Sequence, residues 1–173
     1  MGASNRGVCA AAQALGLIVA ITLAFYRGRH SGRLGPWFLA WWARCDWSHV
    51  AIVWQIDAER GRALVSEATL AHGVQTHWRP WSPWMWDLYE LGGISSEPVF
   101  LWWQQHQGAG YDWRGLAGFV IRRIKGRTTS YWCSEAVAAS IGLHDAWRYD
   151  VALMASVAKH IGKPLERTHA EHD

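Results

Sequence analysis

Apolar and polar positions alternate along the chain in runs that predict short strands and short helices. From His49 to Ile56, Val50, Ile52, Trp54 and Ile56 alternate with His49, Ala51, Val53 and Gln55, the period of two of a β-strand. Asp57-Ala-Glu-Arg-Gly61 then reads as a turn and Arg62 to Ala68 as a second strand, so a hairpin is expected. Ile21-Thr-Leu-Ala-Phe-Tyr26 and Trp86 to Leu91 have strand composition too, closed by Arg27-Gly-Arg29 and by Gly92-Gly93. His72-Gly73 to Pro83 carries two prolines and reads as a loop. Helical segments are predicted over Trp37 to Arg44, from Glu97-Pro98 to about Gln107, and over Trp113 to Lys125. Two more run from Cys133 to Ile141, ended by Gly142, and from Val151 to Ile161, closed by Gly162 and Pro164. Helices flanking a small antiparallel sheet define an α+β domain.

The amino terminus is ambiguous in pattern. Gly7 to Phe25 is nearly all apolar, with Gln13 its one strongly polar residue and Arg6 and Arg27 at its flanks. Length and flanks permit a membrane span or an uncleaved signal anchor, so residues 7–25 leave membrane association open. The first half is Ala-rich, however, and a strand from about Ile21 is as natural. The expected organisation is an apolar extension over 1–20, helical or anchoring, a domain over 21–165, and a polar tail over 166–173.

Composition narrows the function. The 173 residues suffice for one domain with a core, and 18% charged residues with 50% apolar ones are globular usage. The net charge of +3 is small and scattered. Its densest run, Arg122, Arg123, Lys125 and Arg127, falls at a predicted helix end, where cations suit the dipole, so no nucleic-acid partner is expected. Cys9, Cys45 and Cys133 are odd in number, widely spaced and without a C-x-x-C pair, which speaks for reduced thiols and against a disulfide framework or a structural zinc. His72, His77, His106 and His144 show no ligand spacing, and His169 and His172 lie in the tail. No metal and no cofactor is therefore expected. The 14 tryptophans are assigned mostly to the core, with some free to line a groove for a sugar or peptide.

One cysteine has a distinctive setting. In Thr128-Thr-Ser-Tyr-Trp-Cys133-Ser-Glu-Ala-Val the polar stretch ends and the helical period begins at Cys133. The thiol thus lies in the first turn of a helix, where unpaired N–H groups and the positive dipole end stabilise a thiolate and an oxyanion formed from it. Cys9 and Cys45 sit in apolar runs and read as small hydrophobes. A base for the thiol is offered by His49, at the start of a strand that would hold it rigidly. Read from the residues alone, His49 is better explained as a sheet-edge histidine bonded to a carbonyl.

Trp47-Ser-His-Val-Ala-Ile52, Ser66-Glu-Ala68 followed by His72-Gly-Val74, Gly110-Tyr-Asp-Trp113 and Tyr131-Trp-Cys-Ser-Glu135, in this order, resemble the circularly permuted papain-like hydrolases of NlpC type, the YiiX-like group, many of them bacterial or phage-encoded. The motifs span roughly residues 21 to 145. In ordinary papain-like enzymes the cysteine helix precedes the histidine strand, and here His49 precedes Cys133. The resemblance implies a permuted papain-like fold with Cys133 as nucleophile, His49 as base and Glu67 as third member. It implies cleavage of amide bonds, often in peptidoglycan peptides, while the related lecithin retinol acyltransferase group acts on lipid acyl chains. It also implies no metal. The partner is then a peptide, a peptidoglycan fragment or an acyl substrate.

Glu67 depends on hairpin register. Facing His49 directly requires a hairpin centred at Ala58, whereas a turn on Glu59-Arg60-Gly61 is just as natural, because Gly61 can take positive φ, and moves Glu67 a few residues away. A one-residue slip turns Glu67 to the other face, and a bulge restores it. Tyr131 and Tyr111 are candidates for binding substrate or an oxyanion. Asp112 reads as a helix cap and Glu135 as a first-turn acid favoured by the dipole. The competing readings are an acyltransferase or lipid deacylase using the same Cys–His pair, and a catalytically silent, Trp-rich binding module on the same fold.

Overall fold

The computed structural model describes residues 20–112 and 129–166. Residues 1–19 of the apolar extension, the helix predicted over Trp113 to Lys125, the basic run through Arg127 and the tail from 167 lie outside the described residues. The domain is α+β. Its strands are β1 (Ile21–Tyr26), β2 (His49–Asp57), β3 (Arg62–Thr69), β4 (Gly73–Pro80), β5 (Trp86–Leu91) and β6 (Gly162–Pro164). They form one antiparallel sheet in the order β4-β3-β2-β1-β5-β6. The helices are α1 (Leu34–Trp42), α2 (Ser96–Gln105), α3 (Cys133–Ser140) and α4 (Val151–Ile161).

The period of two sorts the sheet into two apolar faces. Leu23, Phe25, Val50 and Ile52 pack under Val99 and Trp103 of α2, Ala136 and Val137 of α3, and Met154 and Ala155 of α4. On the opposite face Ala24, Ala51, Val53, Ala63 and Val65 gather beneath Trp81 and Trp86. Helices α2 to α4 thus cover one face, while Trp81 of the β4–β5 connection and Trp86 of β5 cover the other.

Two expectations need correcting. The segment predicted as a loop from His72 to Pro83 is mostly β4. It is an edge strand, and Pro80 ends it, where a missing N–H removes no ladder bond. Its period was hidden because Gln75, His77 and Arg79 give one face a polar character. Gly162-Lys-Pro164, expected only to stop a helix, goes on to pair with β5, so the sheet is larger than predicted. Among the described tryptophans, Trp81, Trp86, Trp103 and Trp132 are buried and Trp47, Trp54 and Trp102 pack against the core, as expected, whereas Trp37, Trp41, Trp42, Trp84 and Trp147 are exposed.

The hairpin register is settled by one extra residue. Its loop closes with Gly61 at φ 56°, the left-handed region that glycine tolerates, and the Gly61 N–H donates to the Ala58 carbonyl at 3.2 Å. The pairs Asp57–Arg62, Ile56–Ala63 and Gln55–Leu64 follow, and then Val53–Val65 and Ile52–Ser66. Trp54 is the bulged residue between them. Its indole N–H donates to Ser66 Oγ at 2.7 Å and its ring meets Phe100 of α2 edge-on at 5.1 Å. Without this insertion His49 and Glu67 would lie on opposite faces. With it, one step past the last pair at Ile52–Ser66, Glu67 falls on the same face as His49, and the two side chains meet at 2.7 Å.

The β1–β2 connection is seated by a close approach. Gly28 is buried, and a Cβ there would run into the Ser48 side chain and, at 2.6 Å, the Pro36 carbonyl oxygen. Gly28→Ala is therefore expected to lower unfolding stability by about 1–3 kcal/mol, the cost of overpacking. Urea denaturation measures it, and an unchanged midpoint would show that this seat is loose.

Candidate active site

Cys133 is the first residue of α3. The chain enters extended through Trp132, whose backbone N–H donates to Glu135 Oε2 at 3.4 Å and whose indole N–H donates to Ser134 Oγ at 3.0 Å. The β2–β3 ladder has its last pair at Ile52–Ser66, and beyond it the Val50 N–H turns to the Cys133 sulfur. The Ser134 N–H also donates to that sulfur, and the His49 ring hydrogen-bonds to it. Burial opposes ionisation of the thiol. The bond and charge of His49 and the two amides outweigh it, so the thiol is held below its ordinary range. Burial likewise opposes charge on His49, but Cys133 and then Glu67 overcome it and push the imidazole up to about 10. Both shifts favour a thiolate–imidazolium pair. At 6% exposure Cys133 is poorly screened by water, which strengthens the attraction.

Glu67 fixes the imidazole. His49 Nε2 donates to Glu67 Oε2 at 2.7 Å, which leaves Nδ1 as the nitrogen for the sulfur. The same carboxylate accepts from His77 Nε2 at 2.9 Å on Oε1 and from Arg79 Nη1 at 2.7 Å on Oε2. Burial would raise the Glu67 pKa. The bonds from His49 and His77, with the charges of His49 and Arg79, hold it well below the usual carboxylate range. Trp86 is the shelf for these groups. Arg79 lies over its ring at 5.0 Å, His49 meets it at 6.2 Å, and Trp81 stacks on it at 4.9 Å.

Of the sequence-predicted residues, Cys133, His49 and Glu67 come together, and the bulged register answers the question left open by the hairpin. Tyr111 joins them electrostatically. Gly110 and Ser130 form a parallel bridge that lays residues 110–112 beside the entry to α3. Burial, the Cys133 thiolate and Asp112 all push the Tyr111 phenol up, so it stays protonated and able to donate. Tyr131 packs instead on Trp102 and His106, at 5.2 and 5.4 Å. Asp112 and Glu135 are both buried, and burial followed by Asp112 pushes Glu135 up to about 7. Cys45 donates to the Trp47 carbonyl at 3.1 Å and burial raises its pKa, so it is the less ionisable thiol.

Sequence reasoning set His77 aside and did not consider Arg79 or Trp86. The signal for the first two was the alternation of Gln75, His77 and Arg79 with Val74, Thr76 and Trp78, a strand with one polar face. Among the described residues no group of three or more His, Cys, Asp and Glu side chains is arranged to hold a metal ion. No protein-family model matches the chain, and no curated protein matches it.

Two predictions follow from this geometry. Iodoacetamide labelling of Cys133, read peptide by peptide, should persist well below the ordinary thiol value of roughly 8.5. In His49→Ala the desolvated thiol should label only at alkaline pH, and an identical profile in the two proteins would refute the ion pair. Glu67→Ala should cost about 2–3 kcal/mol, less than the roughly 3–5 kcal/mol of a fully buried pair because Arg79 keeps contact with water. Since the Glu67 pKa is depressed on folding, its stabilisation is present above its ordinary value of 4.5 and is lost as pH falls below that. Acid denaturation should therefore be shallower in Glu67→Gln, and equal slopes would show that Glu67 is not the titrating group.

Proposed function

We propose that this chain is a cysteine hydrolase of circularly permuted papain-like type, cleaving an amide or peptide bond. The observation that carries the reading is the 2.7 Å contact from His49 Nε2 to the buried Glu67 carboxylate, which aims the other ring nitrogen at the helix-borne Cys133. The permuted order is supported by the histidine strand and its carboxylate strand both preceding the cysteine helix in the chain. The motif resemblance adds the expectation of peptide substrates from the bacterial cell wall.

The chemistry starts from an ion pair. The Cys133 thiolate adds to the substrate carbonyl carbon, and the negative charge passes to the carbonyl oxygen. First-turn amides of α3 face that oxygen, and the protonated Tyr111 hydroxyl is a further donor. Imidazolium His49 gives its Nδ1 proton to the departing amine as the C–N bond breaks, leaving a thioester on Cys133. Neutral His49 then takes a proton from water. The hydroxide adds to the thioester, the C–S bond breaks, and the acid product leaves with the ion pair restored. Glu67 stays ionised throughout and keeps the ring in place.

Acyl transfer or deacylation of lipid esters by the same pair is the second reading. It is favoured by the exposed Leu34, Trp37, Phe38 and Trp41 of α1, on the connection that ends at His49. Incubation with muropeptides and with long-chain acyl esters, followed by intact-mass measurement, separates the two. The expected result is an acyl adduct on Cys133 with one class, absent in Cys133→Ser. His49→Ala should slow turnover by about 10²–10⁴-fold. Full turnover by Cys133→Ser would end the proposal.

A further inference from the structure

Helix α1 presents a surface that the chemistry above does not use. It lies between Tyr26, the last residue of β1, and His49, the first of β2, and these two residues pair with each other. Ala40 is its one buried residue, turned toward the body of the domain. Leu34, Trp37, Phe38, Leu39, Trp41 and Trp42 are exposed by 40% to 87%. At about 100° per residue these six cover an arc of roughly 200° opposite Ala40. Their rings support one another, with Trp37 and Trp41 parallel at 6.4 Å and Phe38 tilted on Trp41 at 5.9 Å. The result is a convex apolar ridge.

Charge surrounds this ridge without entering it. No charged residue stands between Arg33 and Arg44, while Arg29, His30 and Arg33 precede the ridge and Arg44 follows it. Arg29 lies 3.8 Å from Asp46, and among the described residues no carboxylate is within ion-pair distance of Arg33 or Arg44. A second copy seated on the ridge across a two-fold axis would bring these cations against their own kind. An anionic head-group layer would meet them with opposite charge, and tryptophan favours that boundary because its ring is apolar and its N–H polar. Nine residues span only about 14 Å, too short to cross a bilayer, so the helix would lie in the interface plane.

We propose that α1 is a docking helix for anionic lipid bilayers, inserting its aromatic ridge among the acyl chains with Arg33 and Arg44 on the head groups. This places the His49 end of the sheet at the membrane. The surface stands apart from the catalytic reading, since a chain with an inert thiol would bind equally.

Cosedimentation of the full chain with phosphatidylcholine vesicles, with and without phosphatidylglycerol, tests it. Binding should favour the anionic vesicles and weaken with salt. Arg33→Gln and Arg44→Gln should each reduce that binding about fivefold. Trp37→Ser/Phe38→Ser/Trp41→Ser should reduce it roughly tenfold or more, with circular dichroism and Cys133 labelling unchanged. Hydrogen exchange of the wild-type chain supplies a local readout that needs no variant and is independent of residues 1–19. Amides of residues 34–42 should be slowed by anionic vesicles. Unchanged exchange there, or unchanged partition of the triple variant, would overturn the proposal. So would a concentration-dependent dimer that the triple variant abolishes while vesicle binding persists, because the ridge would then belong to a second copy.

Discussion

The carboxylate of Glu67 is the constraint around which the opposite face of the sheet is organised. A carboxylate this deeply buried is costly unless donors surround it, and three side chains do so from two strands: His49 of β2, and His77 and Arg79 of β4. Two of the donors are held in turn. Trp86 lies under both Arg79 and His49, and Trp81 lies under Trp86. The imidazole therefore has little freedom to rotate, and its remaining nitrogen is committed to the sulfur. A single inserted residue, Trp54, is what brings His49 onto the face where this can happen.

Burial acts on each member differently, and the balance decides which forms are charged. Water exclusion alone would neutralise Cys133, His49 and Glu67 alike. Pairing reverses that outcome for all three, since each charge has an opposite charge or an amide beside it. Glu135 shows the contrary case. It sits in the first turn of the same helix with burial and the neighbouring Asp112 against its ionisation, and only the Trp132 N–H in its favour. Two acids of one site are thus driven apart by their surroundings.

What could be read from the sequence followed from how local each feature is. The start of α3 at Cys133 and of β2 at His49 was legible because both lie where one hydrophobic period gives way to another within a few residues. The contact of Glu67 with His49 was not, since it depends on a bulge at Trp54, a residue that fits the strand pattern on either side. Strand β4 was hidden because the residues that would mark it as half-buried, Gln75, His77 and Arg79, are polar, and the last two bond the Glu67 carboxylate. The tryptophans were legible only in bulk, most of the described ones lying in or against the core. Composition counts apolar rings and does not say which ones the fold leaves outside.

The exposed ridge of α1 and the buried ion pair stand at the same end of the sheet, and the link between them is covalent as well as spatial. Tyr26 pairs with His49, Gly28 packs on Ser48 and Pro36, and α1 hangs from that joint. Any partner that engages α1 therefore pulls on the segment leading into His49. Its ring is held by Glu67 on one side and Cys133 on the other, so the pull is resisted by charged bonds in a poorly hydrated place, where they are strongest. Load on α1 would thus leave the Cys133–His49–Glu67 geometry in place. Stiffness at His49 and apolar exposure on α1 are compatible because the Gly28 joint separates them.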